Sequence, residues 1–302
     1  MPAGARRPRL TAVTTVRHPE ATMNHRIRSV RLSTGVRLEY VEHGDPRGVP
    51  LVLLHGYSDS LHSFAPLMRH LPPSLRVVAP SQRGHGDSDR PAAGYGPEVF
   101  ASDAVALLDA LGIDRAVVLG HSGGSYAAQY VAIGAPERTL GLVLVGAFRS
   151  MRDIEGVDGL REAVAGLGDP VDPGFVRDFQ ASTLTRPVPP GFFAMVVSES
   201  RKLPAAVWRA YLEDSLAAEV PTERGPVMAP TLILWGDRDA YARRADQEAL
   251  ADVIPDAELV VYEGTGHVPH WEEPARAAAD VAAFARRVAA DAEPARRPVI
   301  AG

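Results

Sequence analysis

Two kinds of apolar pattern run along this chain. Ile27–Ser33 and Val36–His43 alternate apolar and polar positions on either side of Thr34-Gly35. Period two around a turn pair predicts a β-hairpin. Short aliphatic runs follow at Pro50–Leu54, Val77–Ala79, Ala116–Leu119, Leu140–Val145, Thr231–Leu234 and Glu258–Tyr262. Runs without alternation fit strands buried on both faces, as in a parallel sheet. Helical segments separate most of them. Pro97–Leu111 sets Val99, Ala106, Leu107 and Ala110 on one stripe, and Gly123–Ile133, Arg243–Val253 and Pro274–Ala289 are rich in Ala, a strong helix former. A hairpin followed by alternating strands and helices predicts an α/β fold: a mostly parallel eight-stranded sheet flanked by helices.

One interval breaks the alternation. Phe148 to about Val227 has no buried-strand run and many prolines, so it reads as helices inserted between two strands. The expected organisation is a core of residues 27–147 and 228–290, interrupted by a helical cap at 148–227. Residues 1–26 carry Arg6, Arg7, Arg9, Arg17 and Arg26 against the single acid Glu20, with no apolar stretch after them. They read as a disordered arm rather than a secretory signal, with Met23 an alternative start. Residues 291–302 read as a polar, frayed tail.

Composition narrows the picture. The chain has 302 residues, 46% hydrophobic and 23% charged, which is ordinary for a soluble globular protein with a sizeable core. It has no cysteine, which excludes disulfides, thiolate metal sites and a cysteine nucleophile. The net charge of -5 argues against nucleic acid as a partner. No apolar run approaches the roughly 18 residues of a membrane span. A cytoplasmic location is the expectation. Lys202 is the one lysine among 32 basic residues, an Arg bias that suggests a GC-rich bacterial genome. Nothing in the sequence determines the oligomeric state.

The chemistry sits at strand ends. The run Ala116–Leu119 leads into Gly120-His121-Ser122-Gly123-Gly124, followed by a helix. This is G-x-S-x-G in a strand–turn–helix context, where a sharp turn lifts the serine hydroxyl clear of the sheet edge. Gly120 and Gly124 let strand and helix approach closely. Ser122 is the candidate nucleophile, and a serine hydroxyl needs a base. His267, in Glu263-Gly264-Thr265-Gly266-His267 just past the last strand, is the candidate. A base needs an orienting carboxylate, and Asp239 in Trp235-Gly236-Asp237-Arg238-Asp239 is favoured over Asp237, which suits turn chemistry. Two backbone donors are needed for the oxyanion. These are the N–H of Gly123 and that of Tyr57, with Gly56 allowing the chain to turn and His55 structural.

These residues resemble the α/β-hydrolase superfamily over nearly all of Ile27 to Ala290. His55-Gly56-Tyr57-Ser58-Asp59-Ser60 is similar to its oxyanion loop. Ser81-Gln82-Arg83-Gly84-His85-Gly86-Asp87-Ser88 is similar to its loop after the next strand. The serine, acid and histidine loops follow in the order Ser122, Asp239, His267. Two departures stand out: Ser81 where an Asp is common, and Gly123 where many relatives carry Met. The resemblance implies an α/β-hydrolase fold and acyl transfer to water. Haloalkane dehalogenases and epoxide hydrolases of this fold use an Asp nucleophile, which Ser122 replaces. Carboxylesterases, lactonases, C–C bond hydrolases acting on diketones and cofactor-free perhydrolases remain.

The inserted segment is rich in large apolar residues, so a hydrophobic ester or lactone is the expected substrate. Gly56, Leu61, His62, Phe148, Phe192 and Trp208 are the candidate substrate contacts. Arg149, Arg152 and Arg201 are the basic residues able to turn inward. No cofactor or metal is expected: there is no G-x-G-x-x-G after a strand, no P-loop and no H-E-x-x-H. The competing class is a ligand-binding protein on the same fold that has lost catalysis.

Overall fold

The structure is a computed structural model and describes residues 26–154 and 156–292. The alternative start at Met23, most of the expected N-terminal arm and nearly all of the C-terminal tail lie outside these residues. Eight strands form one sheet: β1 Arg28–Arg31, β2 Arg37–Gly44, β3 Val49–Leu54, β4 Leu75–Pro80, β5 Ala116–His121, β6 Thr139–Val145, β7 Thr231–Gly236 and β8 Ala257–Tyr262. Their order across the sheet is β1-β2-β4-β3-β5-β6-β7-β8. The first two pairings are antiparallel and the other five parallel.

Alternation within the aliphatic runs now has a direction. In β3, Val52 and Leu54 join a core with Val118, Leu142 and Leu144. Leu51 and Leu53 join a second core with Val117, Leu119, Val143 and Val145 on the opposite face. A strand with helices on both faces needs apolar side chains at every position. The first core is covered by α2 (Pro97–Ala110), α3 (Gly123–Gly134) and α9 (Arg244–Val253). The second is covered by α1 (Ala65–Met68) and, after the short α10 (Pro269–Glu272), by α11 (Pro274–Ala292), through Leu67, Ala277, Val281 and Phe284.

Between β6 and β7 the chain is helical: α4 Val157–Ala165, α5 Pro173–Ser182, α6 Pro190–Ser200, α7 Ala205–Ala217 and α8 Pro221–Arg224. Proline opens α5, α6 and α8, where its missing N–H would have had no helical partner. Arg149, Arg152 and Arg201 do not turn inward. Arg152 donates to the carbonyls of Leu216, Ala217 and Ala218 at 2.6–2.9 Å, satisfying the carboxyl end of α7. Arg149 pairs with Glu223, and Arg201 is exposed. Among the described residues no helix is long and apolar enough to cross a membrane.

The strand order decides where a site can form. The parallel part of the sheet begins near the middle at β3, moves outward to β4, then reverses past β3 to β5. Such a reversal opens a crevice at the carboxyl ends of the two central strands. Tyr57 follows β3 and Ser122 follows β5, so both stand at that crevice.

Candidate active site

Ser122 has φ 53° and ψ -123°, a conformation that L residues avoid. Its surroundings hold it there. The Ser122 N–H donates to the Val145 carbonyl at 2.9 Å, and its own carbonyl accepts from the Ser125 hydroxyl at 2.6 Å. The flanking glycines are sterically required. A Cβ on Gly120 would lie 2.2 Å from the Gly124 carbonyl oxygen, and one on Gly124 would lie 2.2 Å from that of Leu54. Gly56 presses on the same turn, with its missing Cβ 3.0 Å from that of Ser122.

Asp239 and His267 meet across the ends of β7 and β8. His267 Nδ1 lies 2.8 Å from Asp239 Oδ2, and both side chains are almost fully buried. The other carboxylate oxygen of Asp239 accepts the N–H groups of Tyr241 and Ala242 at 2.8 and 2.9 Å. The carboxylate is therefore locked in orientation and leaves Nε2 as the free ring nitrogen. Asp237 is occupied elsewhere, accepting the Gly264 N–H at 2.6 Å. Backbone contacts hold the histidine loop as well, since the His267 N–H donates to the Thr183 carbonyl at 2.9 Å. Gly146, with φ 53°, packs on the imidazole: a Cβ there would sit 2.9 Å from Nδ1. Sequence reasoning missed Gly146, although a glycine directly after a buried strand run was a readable signal.

Gly123 is the first residue of α3, so its N–H has no intrahelical acceptor. The Tyr57 N–H likewise meets no backbone acceptor among the described residues. The turn after it carries Ser58 at φ 66°. The side-chain space beside Gly123 is not empty. The hydroxyl of Tyr211 on α7 lies 1.9 Å from where a Cβ would stand. The Tyr211 ring stacks on Tyr57 at 4.6 Å, and the Tyr57 hydroxyl donates to the Trp208 carbonyl at 2.6 Å.

Ser122 and His267 line one cavity. Its other walls are Tyr57, Asp59, His121, Phe148, Met151, Ile154, Leu160, Phe179, Gln180, Thr183, Tyr241, Val268 and Trp271. Of the six expected substrate contacts, Phe148 is in this wall. The other five stand elsewhere. Gly56 backs the elbow. Leu61 packs in the core beneath the sheet, and His62 lies half-buried in the short helical turn beside it. Phe192 packs edge-on against the outside of Trp271, and Trp208 is fully buried behind Tyr57 and Phe179. Asp59, Gln180, Thr183 and Tyr241 are cavity residues that hydropathy could not pick out. Among the described residues no three His, Cys, Asp or Glu groups could hold a metal ion.

A profile of the alpha/beta hydrolase fold matches residues 49–274, three quarters of the chain. The chain belongs to the alpha/beta hydrolase family. Within it, the chain is 31% identical to 2-hydroxymuconate semialdehyde hydrolase of Pseudomonas sp. (strain CF600), covering 84% of this chain and 92% of that one. It is 26% identical to Lipase 1 of Psychrobacter immobilis, covering 82% and 80%. Among solved structures, Est816, described as an N-acyl homoserine lactone degrading enzyme, aligns with a TM-score of 0.72 and 27% identity over 85% of this chain and 99% of that one. The family fold accounts for the sheet and the position of the crevice; the side chains of this hydrolase decide the rest.

Proposed function

We propose that this hydrolase cleaves carboxylic esters or lactones of hydrophobic small molecules through an acyl-enzyme on Ser122. The observation that carries the reading is the 2.8 Å contact between His267 Nδ1 and Asp239 Oδ2, in a cavity that Ser122 also lines. His267 Nε2 takes the proton of Ser122 as its oxygen attacks the ester carbonyl. The oxyanion accepts the N–H groups of Tyr57 and Gly123. Collapse expels the alcohol, which receives the proton from His267. Water activated by the same nitrogen then releases the acid. Asp239 stays ionised throughout, holding the tautomer and stabilising the imidazolium. The apolar wall from Phe148 to Trp271 supports a hydrophobic substrate. The likeness to a lipase supports an ester, and the likeness to a lactone-degrading enzyme supports a lactone.

The experiment is hydrolysis of a short-chain aryl ester together with fluorophosphonate labelling. Wild type should turn over and be labelled at Ser122, and Ser122→Ala should do neither, with activity down by several orders of magnitude. Full activity in Ser122→Ala overturns the mechanism. A folded wild type that resists labelling favours the ligand-binding alternative.

A second reading has its own support. The 2-hydroxymuconate semialdehyde hydrolase relative, matched over nearly its whole length, favours C–C bond hydrolysis of a diketone-type substrate by the same groups. A substrate panel ranked by kcat/KM separates the two. A preference of tenfold or more for a vinylogous diketone over every ester would assign the chain to C–C hydrolysis.

A further inference from the structure

Asp59 is the one acidic side chain among the described residues lining the cavity, in a wall otherwise dominated by aromatic and aliphatic groups. It is only 3% exposed, and no Lys or Arg of the described chain pairs with it. Its Oδ1 accepts from Gln180 Nε2 at 3.1 Å, a donor shared with the hydroxyls of Ser58 and Ser200. Oδ2 has no donor. His121 Nδ1 lies 3.7 Å from it, an ion-pair distance beyond hydrogen-bond range.

His121 is held from its other side. Its Nε2 lies 3.2 Å from the carbonyl oxygen of His267. A carbonyl only accepts, so the ring proton sits on Nε2. Burial is the largest influence on this imidazole and lowers its pKa, while the neighbouring Asp59 carboxylate acts in the opposite direction. His121 Nδ1 has no hydrogen-bond partner among the described residues and faces the Asp59 carboxylate at 3.7 Å. A buried carboxylate and a buried ring nitrogen thus lie side by side in the cavity wall, with no Lys or Arg of the described residues paired to either. Buried carboxylates and lone pairs are costly unless a donor meets them.

We propose that this corner receives a protonated amine, so that the preferred substrate is an ester or lactone bearing an ammonium group close to its carbonyl. An ammonium offers several N–H donors and the charge the carboxylate lacks: one N–H meets Asp59 Oδ2 and another meets His121 Nδ1. The position near the carbonyl follows from the cavity, whose wall holds Asp59 and His121 together with Ser122. Asp59 stands two residues past Tyr57, and His121 immediately precedes Ser122. The proposal rests on the hydrolase reading and adds the substrate class to it.

The test compares two esters of nearly equal shape, methyl 3-aminobutyrate and methyl 3-methylbutyrate, by acid release at pH 7. The wild-type kcat/KM ratio should favour the ammonium ester at least tenfold. Asp59→Asn should lower that ratio at least tenfold. A general loss of folding or catalysis divides out of the ratio. A wild-type ratio below one, or a ratio unchanged in Asp59→Asn, overturns the proposal. Binding without turnover provides an independent readout. In Ser122→Ala, tryptophan fluorescence should report the ammonium ester binding at least tenfold more tightly than its isostere, because Trp271 lines the cavity. Tighter binding of the ammonium ester by a chain that hydrolyses neither would sink the hydrolase reading and keep the amine site. Equal binding sinks the amine site.

Discussion

At Gly123 one missing side chain links three parts of the molecule. The Tyr211 hydroxyl fills its space from α7, 1.9 Å from the ideal Cβ position. Gly123→Ala should therefore push Tyr211 outward and disturb the adjacent N–H proposed for the oxyanion. The expected loss in kcat/KM is about 10²-fold, comparable to removing one oxyanion donor. Tyr211→Phe in the same chain removes the clashing atom and leaves Cζ at 3.0 Å, so the double variant should recover much of the activity. A double variant no better than Gly123→Ala would show that the hydroxyl is not the obstacle. The two acidic candidates after β7 are separated in the same way. Asp239→Asn should lower kcat about 10⁴-fold by favouring the wrong histidine tautomer. Asp237→Asn, which only loosens the turn at Gly264, should stay within about tenfold of wild type, measured with the same aryl ester.

At the scale of elements, the Ser81 departure has a compensation on a neighbouring strand. Glu39 in β2 is 5% exposed, and its Oε1 accepts from the Ser81 hydroxyl and the Asp87 N–H, both at 2.8 Å. Ser81 in turn accepts the Leu61 N–H at 3.2 Å, which ties the loop after β4 to the segment after β3. The carboxylate that relatives place after β4 is thus supplied by β2, and Gly86 leaves room for it, since a Cβ there would lie 2.2 Å from Glu39 Oε1. Restoring the common residue should consequently harm this protein. Ser81→Asp sets two buried carboxylates side by side and should cost about 3 kcal/mol or more in urea unfolding. Adding Glu39→Gln should return most of it. The alternation of β2 could not reveal this role, because period two assigns Glu39 to the solvent face opposite Leu38 and Tyr40. Its burial arises from the loop that folds back over that face.

Across the whole molecule, four histidines are buried with lowered pKa values. Burial is the first cause for His55, His85, His121 and His270, and His85 is pushed down to about 4. In the unfolded chain each titrates near 6.5. Above that pH both states are neutral and the native fold carries no penalty. As pH falls from 6.5 toward 4, the unfolded state takes up protons that the native state does not, so stability declines. The expected slope is up to about 1.4 kcal/mol per pH unit for each histidine. Urea midpoints measured between pH 7.5 and 5 should therefore fall steeply below 6.5, and a flat profile would mean that these rings are protonated in the native state. His55→Asn, which keeps an acceptor for the Gln82 N–H, should make the profile shallower.

Much of this architecture was legible in one dimension. Unbroken aliphatic runs can be buried only between two helical layers, so six of the eight strands and the four long core helices could be read within a few residues. Glycines around Ser122 and the loops ending in Asp239 and His267 were readable because tight backbone turns tolerate few residue types. The sequence could not say which apolar side chain faces which space. Phe148, Phe192 and Trp208 are alike in hydropathy, yet only Phe148 reaches the cavity, because helix packing between β6 and β7 turned the other two into layers behind it. Asp59, Tyr211 and Glu39 likewise owe their surroundings to residues distant in sequence. Local pattern determines which groups leave water. Tertiary packing alone decides what they meet when they do.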